Sequence, residues 1–272
     1  MDLHTITGYR FARTRADLTL APGERILAGG TWLFSEPQPA VTGLVDISSM
    51  DWPATEDLAD GGLRVAATCT IAELADVTAQ PFWQAHPLLN QCAHALLASF
   101  KIWRTATVGG NICRSFAAAS MVSLAVGLDA TAHVWTPDGG TRDLPVAELI
   151  TGNGTNSLDD GEVLRAIDIP GSALRSQTAF RRIALAEYGR SGTVVTGRLA
   201  PDGGVVVGVT AATWRPHVLR YPALPDPATL RADVGSLDDY YTDPLGNADW
   251  RRATATEFAE EIRAELATGG SR

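Results

Sequence analysis

Two pairs of adjacent glycines stand where their backbone could bind phosphate. The pair at residues 29–30 follows the apolar run 25–28 and precedes Thr31, and the pair at 109–110 lies between a Thr-Val dipeptide and an asparagine. Consecutive glycines carry no Cβ atoms, so several backbone N–H groups can turn towards one point and bind phosphate oxygens without a cationic side chain. Thr31, Thr107 and Asn111 could complete the hydrogen-bond shell. This pattern predicts a site for the diphosphate of a dinucleotide.

Either glycine pair alone is also typical of a tight turn. Two further pairs, at 139–140 and 203–204, follow Pro-Asp and are predicted to be turns. The pairs at 29–30 and 109–110 differ from these because hydroxyl or amide side chains adjoin them. Neither contains the GxGxxG or GxxxxGK[ST] pattern, so a nicotinamide Rossmann site and a P-loop are not supported.

Composition narrows the class of protein further. The 272 residues are 45% hydrophobic, which is enough for two or three modest domains with cores of their own. A formal net charge of -9 and a pI near 5.0 argue against a nucleic-acid partner, because such proteins present clustered Lys and Arg to a polyanion.

Three further features concern membranes, location and metals. No run of about eighteen apolar residues occurs, so no membrane span is predicted. The first residues show no basic segment followed by an apolar run, which is the pattern of a secretory signal, so we expect a cytoplasmic protein. Cys69, Cys92 and Cys113 stand far apart and are too few for an iron–sulfur cluster. No metal is therefore expected in this chain.

The elements that must position the glycine pairs can be predicted from periodicity. Strands are predicted at 25–28, 43–47, 63–67, 130–136 and 163–169, and a short helix capped by Thr31 would join the first two in a βαβ unit. A capping box of Thr70 and Glu73 predicts the start of a helix. Further helices are expected at 88–98 and 117–128. Beyond residue 172 we expect antiparallel strands at 178–183, 193–199 and 205–213, then a helix with Phe258, Ile262 and Leu266 on one face and Gly269 as its cap.

The two glycine motifs and the segments after them resemble the FAD-binding subunit of molybdenum hydroxylases, the family of xanthine dehydrogenase and aerobic carbon monoxide dehydrogenase. The resemblance rests on LAGGT at 27–31 followed by LVDI at 44–47, and on ATVGGNI at 106–112 followed by LDA at 128–130. It extends over nearly the whole chain, including a strand that ends in a proline at 161–170.

The resemblance implies an α+β fold in two parts. Residues 1–172 would form a two-subdomain FAD-binding domain of the vanillyl-alcohol oxidase (p-cresol methylhydroxylase) type, with subdomains at about 1–55 and 56–172. Residues 173–272 would form a small α+β C-terminal domain with an antiparallel sheet.

The resemblance also implies a role in electron transfer. Substrate would be oxidised at the molybdenum cofactor of a large subunit, and electrons would pass through a [2Fe-2S] small subunit to FAD in this chain. From FAD they would reach an external acceptor, which the sequence leaves open between NAD, a quinone and dioxygen. No catalytic acid or base is predicted, because the redox chemistry belongs to the cofactor.

Site residues follow from the family's two loops, which together bind the diphosphate. Leu164 would lie near the adenine or the flavin, Arg182 would lie near the flavin, and Ser120 stands where the family carries an aspartate that binds cofactor hydroxyls. The full predicted set is Leu27, Ala28, Gly29, Gly30, Thr31, Trp32, Ala106, Thr107, Val108, Gly109, Gly110, Asn111, Ser120, Leu164 and Arg182.

Two other functions remain open. One is a stand-alone flavoprotein oxidoreductase of the same fold, although a C-terminal part of about 100 residues is small for a substrate domain. The other is a structural subunit that has lost FAD, since Ser120 replaces the family's aspartate and Trp32 replaces a small polar residue.

Overall fold

A computed structural model of the protein describes residues 3–187 and 189–269. The strands are β1 (Gly8–Phe11), β2 (Glu24–Leu27), β3 (Gly43–Asp46), β4 (Thr55–Asp57), β5 (Leu63–Ala66), β6 (Thr131–Trp135), β7 (Thr141–Pro145), β8 (Ile150–Gly152), β9 (Thr155–Asn156), β10 (Val163–Ile169), β11 (Gln177–Ile183), β12 (Thr193–Leu199), β13 (Val205–Thr210) and β14 (His217–Tyr221). The helices are α1 (Ile71–Ala75), α2 (His86–Ala95), α3 (Phe100–Trp103), α4 (Val108–Arg114), α5 (Ser120–Gly127), α6 (Val146–Leu149), α7 (Gly171–Leu174), α8 (Pro227–Gly235) and α9 (Ala248–Ala267), with a 3-10 helix at Arg15–Leu18.

The N-terminal sheet is parallel, with the strand order β1-β3-β2. All four residues of the central strand β3 are buried. Gly43 of β3 leaves room for a side chain from the next strand, because an added Cβ would lie 2.9 Å from the Glu24 Cγ. Glu24 uses this space to form a bidentate ion pair with Arg10 of β1, at 2.8 and 2.9 Å. The ion pair thus joins the two outer strands across the central one.

The connection from β2 to β3 is not the helix that the sequence suggested. Residues 31–35 form turns, held by hydrogen bonds from the Phe34 N–H to the Gly30 carbonyl and from the Ser35 N–H to the Trp32 carbonyl, both 2.8 Å long. Gly30 has a φ of +67°, which directs the chain away from the α conformation. The segment therefore follows the surface as a loop, and the predicted βαβ unit is wrong in its middle element.

A five-stranded antiparallel sheet, β4-β5-β10-β6-β7, forms the second layer. Its central strand β10 spans the residues that the sequence predicted and ends before Pro170. Helix α1 begins at the predicted capping box, where Thr70 and Glu73 each bond the other's backbone N–H. Helices α1, α2, α4 and α5 contribute buried residues to the same core as this sheet.

Helix α5 lies between this core and the last sheet. All of its eight residues are buried. The Ser123 hydroxyl lies 2.7 Å from the Thr210 hydroxyl of β13. Close approach is possible because Gly127 and Gly208 carry no side chain: a Cβ on Gly127 would lie 2.9 Å from the Thr196 Oγ1, and one on Gly208 would lie 2.6 Å from it.

The last sheet is antiparallel in the order β11-β12-β13-β14, and α9 packs against it. The predicted strand at 205–213 ends at Thr210, because Ala211 turns the chain with a φ of +62°. Ile262 and Leu266 of α9 are buried, whereas Phe258 only packs at the edge of that core. Strand β14 and helix α8 were not predicted. The chain is thus a mixed α/β protein with two larger antiparallel sheets. Among the described residues, no helix is long and apolar enough to cross a bilayer.

The Arg10–Glu24 pair predicts a pH-dependent contribution to stability. The Arg10 guanidinium, helped by the Ala21 N–H, lowers the pKa of Glu24 from an ordinary 4.5 to about 2. The charged carboxylate therefore stabilises the fold above the unfolded pKa, and this contribution is lost as the pH falls from about 4.5 to about 2. Glu24→Gln should lower the free energy of unfolding at neutral pH by about 1 kcal/mol after allowance for solvent screening.

Urea unfolding of the wild type and Glu24→Gln across this pH range checks the prediction. The difference between the two proteins should shrink as the pH is lowered. Glu257→Gln removes an exposed carboxylate paired with Arg231 and serves as the control. A difference between wild type and Glu24→Gln that stays constant with pH would contradict the assigned ion pair.

Candidate cofactor site

The two glycine motifs line one cavity of about 600 Å³. It lies where β2 ends, beside the start of α4 and the start of β10. Aliphatic side chains form much of its wall, among them Ile26, Leu96, Ile102 and Val163. The predicted site residues found in its lining are Leu27, Ala28, Gly29, Gly30, Thr31, Trp32, Ala106, Thr107, Gly109, Gly110, Asn111 and Leu164.

Gly29 allows the first motif to touch the segment before the second. A Cβ on this residue would lie 1.8 Å from the carbonyl oxygen of Thr105 and 3.2 Å from the Cα of Ala106. No side chain can occupy that space, since the obstacle is backbone. The glycine is therefore required for packing, and this contact brings the two motifs to the same cavity.

The first motif offers a row of backbone donors. In residues 29–33, five successive N–H groups donate to no backbone or side-chain acceptor within the described part of the chain. All five residues line the cavity. Backbone N–H groups need an acceptor when they are removed from water, and successive free N–H groups are the usual form of a phosphate-binding loop. The first motif thus has the donors that the sequence analysis expected.

The second motif is different, because it forms the first turn of α4. Its backbone N–H groups are already used: Val108 donates to the Cys69 carbonyl at 2.8 Å, Gly109 to the Ala67 carbonyl at 3.0 Å, and Gly110 to the Thr107 hydroxyl at 3.0 Å. The expectation that both motifs present free amides therefore holds only for the first. The bonds to 67 and 69 instead fix α4 against the end of β5.

The two glycines of the second motif have separate roles. A Cβ on Gly109 would lie 2.4 Å from the Cβ of Ala67, so this residue is needed for packing of α4. A Cβ on Gly110 would meet only the Thr107 Oγ1, at 2.9 Å. Gly110 therefore presents bare backbone to the cavity.

Asn111 connects the cavity to α5. Its Oδ1 accepts a hydrogen bond of 2.9 Å from the Met121 N–H in the first turn of that helix. Its Nδ2 has no protein acceptor among the described residues, and the residue lines the cavity. The side chain thus holds α5 in place with one atom and leaves an amide donor for a ligand.

Three predicted site residues do not line the cavity. Val108 is fully buried in the core. Ser120 is 1% exposed, and its hydroxyl has no hydrogen-bond partner. Arg182 of β11 donates through Nε to the Ser191 hydroxyl at 2.7 Å and through Nη2 to the Gly189 carbonyl. Arg182 therefore joins β11 to the segment before β12, and its contact with a flavin, like that of Ser120 with cofactor hydroxyls, remains a prediction.

Arg114 and Phe116 also line the cavity, although they were not among the predicted site residues. The Cζ of Arg114 lies 3.9 Å from the centre of the Trp32 ring and 4.0 Å from that of the Phe116 ring. Arg114 and Phe116 come from the C-terminal end of α4 and the turn after it, and Trp32 comes from the first motif. No local pattern marks this contact, because it depends on the fold bringing the first loop to the end of α4.

Fold and cavity together define a mixed α/β protein with a cleft suited to a phosphate-bearing ligand with an apolar part. The sequence pattern of the FAD-binding domain in molybdopterin dehydrogenases matches residues 11–172, which is more than half of the chain. The chain therefore belongs to this family, and its cofactor is FAD. The resemblance drawn from the glycine motifs is confirmed, as is the prediction of FAD.

Two bacterial relatives give the level of similarity. A protein of Escherichia coli K12 that is assigned as a xanthine dehydrogenase FAD-binding subunit is 33% identical over 171 residues, and the xanthine dehydrogenase FAD-binding subunit of E. coli O157:H7 is 30% identical over 170 residues. Each alignment covers 60% of this chain and 57% of the relative, so the match spans little more than half the length of either relative.

Solved structures show the same fold over nearly the whole chain. Quinoline 2-oxidoreductase from Pseudomonas putida 86 has a TM-score of 0.80 at 20% identity and 97% coverage of both chains. The reconstituted CO dehydrogenase from Oligotropha carboxidovorans has a TM-score of 0.83 at 20% identity and 98% coverage of both.

The residues present fit FAD. The free N–H groups of 29–33 suit a diphosphate, the bare backbone at Gly110 allows close approach, and the aliphatic wall suits the aromatic rings. Thr31 and Asn111 add a hydroxyl and an amide donor beside them.

The geometry at Gly110 predicts the effect of filling that space. Gly110→Val should fold, because an added Cβ meets only the Thr107 hydroxyl, but it should raise the FAD dissociation constant more than about tenfold by blocking close approach. Gly235→Val in α8 is a matched control, since a Cβ there would meet only the Thr256 hydroxyl at 3.8 Å. Equal FAD affinity in the two variants, measured by flavin fluorescence, would rule out this assignment.

Proposed function

We propose that this chain is the FAD-binding electron-transfer subunit of a molybdenum-containing hydroxylase or dehydrogenase. It would receive electrons from the iron–sulfur clusters of a partner subunit and pass them to an external acceptor. The observation that carries the proposal is that both glycine motifs line one cavity, with a row of free backbone donors on one side and an aliphatic wall on the other.

The proposed binding mode assigns a part of the cofactor to each group. The N–H groups of 29–33 hold the diphosphate, with Thr31 and the free Nδ2 of Asn111 adding donors. Leu164 and the aliphatic wall contact the ring systems. Main-chain donors are held by the fold and carry no net charge, so they bind an anion in an acidic chain without a cluster of basic side chains.

The FAD-binding part would be residues 1–172, of the vanillyl-alcohol oxidase type, with subdomains at about 1–55 and 56–172 and the cofactor between them. Support comes from the position of the cavity, which has the end of β2 on one side and α4 and β10 on the other. Residues 173–272 would form the C-terminal domain. The hydrophobic core of α8, α9 and the last sheet, drawn from residues 179–266, supports that division.

Bound FAD supplies the redox chemistry, since its ring system can take up electrons and release them to another molecule. The chain's own residues bind and orient it. The aliphatic wall excludes water from the ring system, and the free N–H groups find their acceptors in the diphosphate. No protein acid or base is needed for this role.

Partner subunits are proposed because three cysteines are too few for an iron–sulfur cluster, which usually takes four thiolates. Burial also raises the pKa of all three thiols, which disfavours the thiolate that a cluster ligand requires. The clusters would thus lie in a [2Fe-2S] small subunit, and the molybdenum cofactor in a large subunit. The matched relatives are themselves named as FAD subunits of dehydrogenases, which supports this arrangement.

Purification from the native host tests the proposal. The tagged full chain should carry FAD, seen in the visible absorption spectrum of oxidised flavin, and should bring with it two other polypeptides together with iron and molybdenum. A matched preparation of Gly110→Val should retain iron and molybdenum while losing flavin.

Two results would contradict the assignment. A flavin-containing chain that copurifies without iron or molybdenum and oxidises an organic substrate itself would indicate a stand-alone flavoprotein. A complex that contains iron and molybdenum but no flavin would indicate a structural subunit.

A further inference from the structure

Arg114 lies between two aromatic rings in the wall of the cofactor cavity. Its guanidinium carbon is 3.9 Å from the Trp32 ring centre and 4.0 Å from that of Phe116, and the two rings are 6.4 Å apart at an angle of 76°. The two rings form a corner around the guanidinium, and cation–π contacts with both of them restrict where it can lie. The arrangement therefore positions the cation of Arg114.

The N–H donors of Arg114 have no protein acceptor in the described ranges. Arg114 forms no ion pair there, and its Nε is buried without a hydrogen bond. Two buried arginines have anionic partners: Arg198 is paired with Asp129, and Arg251 is paired with Asp243 and also donates to three carbonyl oxygens. Removing a cation from water without an anionic partner is costly, and partial burial lowers the pKa of Arg114, opposed by the charge of the Glu36 carboxylate.

The position of Arg114 indicates what its partner is. Trp32, on which it stacks, belongs to the loop whose N–H groups at 29–33 are free. Both Arg114 and this loop line the same cavity. Residues with unsatisfied donors thus lie together around the space proposed for an anion. An acceptor with several oxygens and negative charge would satisfy them together.

We propose that Arg114 binds the diphosphate of FAD and that Trp32 and Phe116 are positioning residues for it. This inference rests on the cofactor site proposed above and adds a charged ligand to it. A fixed guanidinium can donate two parallel hydrogen bonds to phosphate oxygens, which a lysine ammonium cannot do in the same geometry. The proposal also gives Trp32 a role in the first glycine loop.

Binding measurements on the full chain, with its flavin removed, test this role. The probes are FAD, ADP and riboflavin, of which the first two carry the diphosphate and the third does not. Arg114→Met keeps an apolar chain between the rings but removes the charge. It should raise the dissociation constants of FAD and ADP about 10- to 100-fold, as expected for loss of charge-assisted hydrogen bonds, and leave that of riboflavin within about twofold.

Two further variants complete the series. Arg114→Lys keeps the charge but loses the bidentate geometry, so its FAD affinity should lie between those of the wild type and Arg114→Met. Arg231→Met removes one positive charge from the exposed pair with Glu257 and should leave all three affinities unchanged. If Arg114→Met does not fold, Arg114→Lys must still weaken FAD and ADP relative to riboflavin.

The outcomes that would overturn the inference are distinct. Unchanged binding of FAD and ADP in Arg114→Met would show that the guanidinium does not contact the diphosphate. An equal loss of riboflavin and ADP binding would show that the residue supports the fold or the ring site instead. Failure of the wild type to bind FAD at all would overturn the cofactor site itself, separately from the role of Arg114.

Discussion

Five backbone N–H groups without a protein acceptor, at residues 29–33, are the constraint on which the account of this protein depends. A folded chain rarely leaves successive N–H groups unpaired in a cavity, because each loses its bond to water when the space is filled. A ligand with several anionic oxygens removes that cost. The rest of the site holds the loop at 29–33 in position and places it beside the aliphatic wall of the cavity.

The surrounding structure fixes the loop from both sides. Glu24 and Arg10 join the outer strands of the parallel sheet ahead of it, and Gly29 packs directly on the backbone of Thr105 behind it. Helix α4 is held in turn by the hydrogen bonds from Val108 and Gly109 to the chain after β5. The two motifs therefore play unequal parts, since the first supplies free donors and the second supplies a fixed wall and side chains.

Features that depend on neighbouring residues could be predicted from the sequence. The capping box at Thr70 and the strand at Val163–Ile169 are of this kind, because propensity and side-chain reach are local properties. The glycine motifs were informative for the same reason.

Features that depend on distant contacts could not be predicted. The acceptors for the Val108 and Gly109 N–H groups lie about forty residues earlier in the chain, at Cys69 and Ala67. Arg114 contacts the ring of Trp32, which lies far away in the sequence. Arg182 donates hydrogen bonds to the Ser191 hydroxyl and the Gly189 carbonyl. The resemblance to a family could point to both glycine motifs, but it could not show which side chains of this chain lie around the cavity they line.

Amide hydrogen exchange on the full chain, with and without FAD, tests the central claim most directly. Free N–H groups in an open loop exchange fast, and they slow when a ligand accepts their hydrogen bonds. The account predicts that FAD slows exchange at residues 29–33, while Val108, Gly109 and Gly110, already bonded within the protein, change little. Fast exchange at 29–33 in the FAD complex would contradict it.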